Sequence, residues 1–264
     1  MSDTLEGQVY SEDRGAVRWL ILDRHETRNG LSLPVVERLA ALVDAAQADA
    51  AVRALVLFGA GGSYCSGLDL KGAYNLVATG GVAVDDGLAL FQRLVFAIQR
   101  ITKPTIAAVD GAAVGFGCDL ALGCDLRIAS ARARIGSTFA RIGLMPDGGG
   151  TLFLQQLVGR AKALELIYEA RLLDADEALA LGLFNKVWPQ DGFEAAVQAY
   201  ALSLASGPPL ALAAAKRAVL GADGTLERTL ALEGEGQRSL LRSADFLEGV
   251  QAFVQKRPAD FRGR

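Results

Sequence analysis

Histidine is nearly absent: His25 is the single one in 264 residues. A zinc site could draw on one imidazole at most. A histidine-activated nucleophile would have to use His25, which lies in the charged run DRHETRNG (23–30). Cysteine is sparse too. Cys65, Cys118 and Cys124 are odd in number, form no C-x-x-C pair and stand in Gly- or Ala-rich apolar surroundings, where free cysteine serves as a small buried hydrophobe. Neither sign of charge dominates. Lys and Arg total 27 against 30 Asp and Glu, a formal net charge of -3, which offers no surface for nucleic acid. No uninterrupted apolar run approaches the roughly 20 residues of a spanning helix, so no membrane partner is expected. The start MSDTLEGQVYSEDRG lacks the basic and apolar segments of a signal peptide, and the expected location is cytoplasmic. The phosphate loop G-x-x-x-x-G-K-[ST] is missing as well.

What is present is a globular composition, 51% hydrophobic and 22% charged. Short β-branched runs alternate with helical ones, which favours an α/β fold. The segments 16–23, 54–60, 105–111, 126–130 and 133–138 read as strands, with one last extended piece in FNKVWP. Residues 33–49 read as a helix opened by Ser32 and Pro34, and 87–101 as another, stopped by Lys103-Pro104. The Gly-rich link 71–86 is less periodic and is expected to be mobile. From Gly159 helices dominate. The reading is therefore an α/β core over 1–190 and a C-terminal helical region over 191–264. That region has no sheet of its own to cover, so it is expected to make contacts within a homo-oligomer.

Three Gly-rich turns carry the chemistry: GAGGSYCSGLDLKG (59–72), DGAAVGFGCDLALGCD (110–125) and LMPDGGGT (144–151). The second is expected to open a helix directly after the strand TIAAV, with free N–H groups facing its glycines. GFGCDL is a poor dinucleotide fingerprint, since the third glycine is missing and no ribose-binding acid ends a second strand. In the third turn, Asp147 reads either as a cap for a helix beginning near Gly149 or as a chemical group. Asp119 reads as an acid facing a helix dipole or as a second carboxylate, and Asp125 as structural.

Taken together and in order, SYCSGLDLKG, KPTIAAVDGAAVGFGCDLALGCDLRIAS, IGLMPDGGGT and LVGRAKALELIYEARLLDADEALALGLFNKV resemble the enoyl-CoA hydratase/isomerase (crotonase) superfamily. The resemblance runs from DRHETRNGLS to FVQKRPADF. It implies a crotonase (ClpP/crotonase-like) spiral of ββα repeats with a C-terminal helical trimerisation region, hence a homotrimer or homohexamer. The substrate it implies is an acyl-CoA, with coenzyme A part of that substrate and no metal or redox cofactor. By motif position the oxyanion donors would be the backbone N–H groups of Leu68 and Phe116, the latter where the family usually has glycine.

The sequence departs from the hydratase pattern at its two glutamates. Asp119 stands at the first position and Phe139 at the second, so hydration by a glutamate pair is ruled out. The resemblance then makes Asp147 the general base and acid of a double-bond shift, with its pKa expected to rise in an apolar pocket. A hydratase using Asp119 and Asp147, and a non-catalytic acyl-CoA-binding protein, are the rivals. The CoA moiety would lie along Arg24, Glu26, Thr27, Arg28, Ser66, Asp69, Leu70 and Lys71, with Phe253 and Lys256 supplied across a subunit boundary. Glu26 stands where relatives carry lysine, and Arg24 or Arg28 would substitute for it. Tyr74, Phe139, Leu144 and Pro146 are the expected acyl-pocket residues, with Tyr64, Leu76, Phe91 and Phe116 as further aromatic or apolar candidates that read equally as core.

Overall fold

A computed structural model describes residues 5–78 and 84–264. In chain order it contains α1 (Leu5–Gln8), β1 (Val9–Arg14), β2 (Val17–Leu22), a 3-10 turn (His25–Thr27), α2 (Leu33–Ala48), β3 (Ala54–Gly59), α3 (Leu70–Ala78) and α4 (Val84–Arg100). There follow β4 (Thr105–Val109), β5 (Ala112–Val114), α5 (Phe116–Leu122), β6 (Leu126–Ser130), β7 (Arg134–Gly136), a 3-10 turn (Phe139–Ile142) and α6 (Gly150–Glu169). The chain ends with β8 (Leu173–Asp174), α7 (Ala175–Ala180), β9 (Lys186–Trp188), α8 (Phe193–Ala205), α9 (Pro209–Gly221), α10 (Leu226–Leu240) and α11 (Ala244–Gln255).

Six strands form one sheet in the order β1-β2-β3-β4-β6-β9, parallel except for the edge hairpin β1-β2. Its central strands are near-continuous apolar runs because both faces are covered. On one face Leu20, Leu22, Leu55, Leu57, Ala107 and Val109 meet α2, α4 and α5. On the other, Val17, Trp19, Val56, Phe58, Ile106 and Ile128 meet Phe193, Val197 and Ala201 of α8. The helices after 190 were expected to have no sheet to cover; α8 does cover one, since its small and apolar residues fall on one face. A second, three-stranded sheet runs β5-β7-β8, and the isolated bridges Leu31–Leu68 and Cys65–Ala113 continue its direction back through earlier turns. The turns β4-β5-α5 and β6-β7-α6 each lay one strand in the large sheet, a shorter one in the small sheet and then a helix, the expected ββα repeat, and the earlier turns add single bridges in place of the short strand.

Several local expectations change. The second Gly-rich turn does not open its helix directly after β4: the three-residue β5 intervenes, too short for any alternation to show. Most of the 71–86 link is helical, in α3 and the start of α4, while 79–83 and the side chain of Leu76 lie outside the described residues. Tyr64 and Phe91 are core, 0% and 6% exposed. The three cysteines are buried and unpaired, and burial pushes the Cys65 and Cys124 thiols up to about 12, so they act as packing groups. Asp125 is structural as expected: it accepts from the Thr105 N–H at 2.8 Å and from Lys216 Nζ of α9 at 2.8 Å, fastening the C-terminal helices to the core.

Candidate active site

Three turns converge at the edge of the small sheet. The first loop folds back because Arg28 and Asn29 take left-handed backbone angles, φ 54° and 61°, which asparagine tolerates better than most residues. Asn29 is 1% exposed. Its side chain accepts the Arg24 N–H at 2.8 Å and donates to the carbonyls of Ala60 and Ser63 at 3.0 and 2.6 Å. It staples the loop to the first Gly-rich turn, a role the sequence reading missed, although an Asn-Gly pair outside a hairpin is its visible trace. Around that staple the expected CoA residues come together. Arg24 pairs with Asp69 at 3.4 Å, Ser66 Oγ donates to the Thr27 carbonyl at 2.7 Å, and the Ser66 N–H reaches the Arg28 carbonyl at 3.1 Å. Glu26, Arg28, Leu70 and Lys71 are exposed beside them. Phe253 and Lys256 are exposed on and just after α11, and no hydrogen bond or ion pair joins either side chain to the loop among the described residues.

The first two turns are stitched backbone to backbone. Cys65 N–H donates to Ala112 O and Val114 N–H to Cys65 O, both at 2.9 Å, while Leu31 N–H meets Gly67 O at 2.7 Å. The approach is close enough to require glycine: a Cβ on Gly67, which has φ 83°, would stand 2.7 Å from Val114 O and 3.0 Å from Phe116 N. Two N–H groups are left over. Among the described residues neither the Leu68 nor the Phe116 N–H donates to a protein acceptor, and the Gly67 geometry holds them beside one another. The Phe116 ring turns away, 2% exposed and edge-on to Phe91 at 4.6 Å between centroids.

The third turn lies over α5. A Cβ on Gly148 would approach the Phe116 ring to 2.7 Å, one on Gly149 the Phe153 ring to 2.7 Å, and one on Gly150 would overlap the Asp119 carboxylate. Three consecutive glycines are needed because each meets a different buried group. Asp147 caps nothing: the N-cap of α6 is Gly149, with no side-chain cap bond. Its side chain reaches solvent, yet protein surrounds it on enough sides for desolvation to raise its carboxyl above the usual range. Asp119 is 0% exposed. Burial pushes it up to about 7 against the lowering effect of the Gly148 N–H, which it accepts at 3.0 Å, and the Asp147 charge adds to the rise. The N–H groups of Gly150 and Asp147 also lower it without forming aligned bonds, and among the described residues Oδ1 has no hydrogen-bond partner.

Phe139 is buried in the 3-10 turn, 8% exposed, and Pro146 is buried, whereas Leu144 and Tyr74 are 52% and 74% exposed. A groove of about 400 Å³ lies elsewhere, between α2 and α4, bordered by Gln47, Arg93 and Phe96 and by none of the turn residues. Among the described residues no helix is long and apolar enough to cross a membrane.

Residues 12–264 match the family model described as enoyl-CoA hydratase/isomerase. The chain is 42% identical over 253 residues to a probable enoyl-CoA hydratase of Rhodobacter capsulatus, covering 93% of this chain and 94% of that protein. It is 36% identical over 260 residues to the 1,2-epoxyphenylacetyl-CoA isomerase of Escherichia coli, covering 97% and 98%. Its fold is similar to the crystal structure of an enoyl-CoA hydratase from Bacillus anthracis, with a TM-score of 0.91 at 31% identity over 97% of this chain and 100% of that one.

Proposed function

The chain belongs to the enoyl-CoA hydratase/isomerase family, and from that premise we propose that it shifts a double bond in an enoyl-CoA thioester with Asp147 as its single proton carrier. The thioester oxygen sits between the Leu68 and Phe116 N–H groups. The Asp147 carboxylate removes a proton from the α carbon of a 3-enoyl-CoA, and the electron pair moves onto the thioester oxygen as a dienolate. Those two preorganised donors stabilise the charge where it develops. Protonated Asp147 then returns the proton at the γ carbon, leaving the double bond conjugated with the thioester. Coenzyme A is part of the substrate, and the reaction needs no metal or redox group.

The observation that carries this reading is the unequal placement of the two aspartates. Asp147 reaches solvent from the turn packed on α5, whose first residue is Phe116, while the Asp119 carboxyl is turned into the glycines of that turn, and Phe139 has no proton to move. Hydration by an aspartate pair would need Asp119 open to the same space as Asp147. The relatives' names include both a hydratase and an isomerase and do not choose between them.

Arg24, Arg28 and Lys71 provide positive charge along the CoA path, where Ser66 and Asp69 shape the backbone, and Phe253 and Lys256 of a second copy complete it. Self-association as a homotrimer or homohexamer is supported by apolar side chains left open on the C-terminal helices, among them Val219, Leu226, Leu247 and Val254, each at least 67% exposed. The test is a panel of 2- and 3-enoyl-CoA thioesters, with products read by mass and by the conjugated-thioester chromophore. Interconversion without change of mass is expected. A gain of one water would instead support hydration through Asp119 and Asp147.

A further inference from the structure

Asp119 lies on α5, whose first residue is Phe116, and its carboxyl touches the turn that carries Asp147. The contact is a shaped one. Gly148 donates its N–H to Asp119 Oδ2 at 3.0 Å, and a Cβ on Gly148 would stand 2.9 Å from the Asp119 Cβ. α6 begins at this turn with Gly149 as N-cap and no side-chain cap bond, and Asp119 holds the chain just ahead of that cap, at the Gly148 N–H. One short, fully buried side chain therefore joins the element bearing one oxyanion donor to the element bearing the proton carrier.

We propose that Asp119 is a positioning residue: through the Gly148 N–H it holds the Pro146–Gly150 turn so that Asp147 faces the same point as the Leu68 and Phe116 N–H groups. This rests on the reading of Asp147 given above. Asp119 acts through the turn and exchanges no proton with substrate. Misplacing a catalytic group by about 1 Å can cost on the order of 100-fold in rate, so loss of the tether is expected to lower turnover while leaving substrate binding nearly intact.

The test compares the wild type with Asp119→Asn, Asp119→Ala, Gly148→Ala and Asp147→Asn. Each is measured for kcat and KM across pH on the enoyl-CoA it converts, and for amide hydrogen exchange in 146–150. Asp119→Asn keeps an acceptor oxygen for Gly148, so the turn stays protected and kcat falls less than about tenfold. Asp119→Ala loses that protection and about 100-fold in kcat at nearly unchanged KM. Gly148→Ala, which displaces the turn with Asp119 intact, reproduces the kcat loss and covers the case in which Asp119→Ala fails to fold. Wild-type kcat or unchanged protection in Asp119→Ala would overturn the proposal. So would Asp119→Asn as inactive as Asp147→Asn, which would make Asp119 a proton carrier itself. A wild type that shifts no double bond would remove the Asp147 reading and the positioning role with it, and that arm is read separately from the variants.

Discussion

Asp110 and Asp119 sit on the same stretch of chain, both almost without exposure, and their surroundings treat them in opposite ways. Asp110 is 7% exposed and surrounded by donors: Ser130 Oγ at 2.7 Å, Arg132 Nε at 2.8 Å with Nη2 at 2.5 Å, and Gln190 Nε2 at 3.2 Å. Burial raises its pKa, but these partners outweigh burial and hold the carboxyl below its ordinary value. Asp119 has a single aligned donor and one oxygen without a partner, and burial wins. A buried carboxylate with full partners belongs to the frame. One kept short of partners lies next to the turn where we place the chemistry, as expected where function competes with stability.

The largest expected effect lies on the catalytic side of this contrast. Asp147→Asn should lower the double-bond shift by about 10³-fold, within the usual range for losing a general acid–base group, at unchanged melting temperature. Steady-state kinetics with calorimetry checks both halves. The frame side should respond in reverse. Asp110→Ala strands the buried Ser130 hydroxyl and leaves the half-exposed Arg132 guanidinium to water, and should cost about 1–3 kcal/mol, roughly 3–10 °C in Tm, with kcat changed little in the fraction that remains folded.

The pH dependence of stability separates the two aspartates further. Because the folded pKa of Asp119 lies near 7 and its unfolded value near 3.8, the folded state holds a proton the unfolded state has released between those values. Stability from this group is therefore fully present below about pH 4 and lost as pH rises to about 7 and beyond, by up to a few kcal/mol at roughly 1.4 per pH unit. Asp110 has the opposite sign: its lowered pKa gives stability that is present above about pH 4 and lost in acid. Urea unfolding from pH 4 to pH 8 should show a downward slope that flattens in Asp119→Asn. The smallest effect is at Tyr64, a fully buried phenol whose hydroxyl has no hydrogen-bond partner among the described residues. Tyr64→Phe should leave Tm unchanged or raise it by an amount worth about 1 kcal/mol.

The large sheet was legible because its central strands are unbroken β-branched and apolar runs, and α2 and α4 because their apolar residues recur at helical spacing. The edge strand β1, VYSEDR, was not read, since it is polar on most of its length and owes its shape to pairing with β2. Nor was β5, whose three residues carry no period. At the site, the glycines and the order of the turns pointed to the residues that meet. What sequence could not supply was the direction of side chains. GFGCDL gives Asp119 and Phe116 but not that both turn toward Gly148, and PDGGG gives Asp147 but not that a side chain of another helix holds its turn. Asn29 escaped notice because a staple between two loops exists only once both are folded.

The most direct measurement is turnover of an enoyl-CoA in water enriched in heavy oxygen, run with the wild type and with Asp147→Asn. The wild type is expected to give a product of unchanged mass with the double bond moved and no heavy oxygen in it, and Asp147→Asn about 10³-fold less of it. A heavy-oxygen-labelled 3-hydroxyacyl-CoA, or normal double-bond shifting by Asp147→Asn, would contradict it.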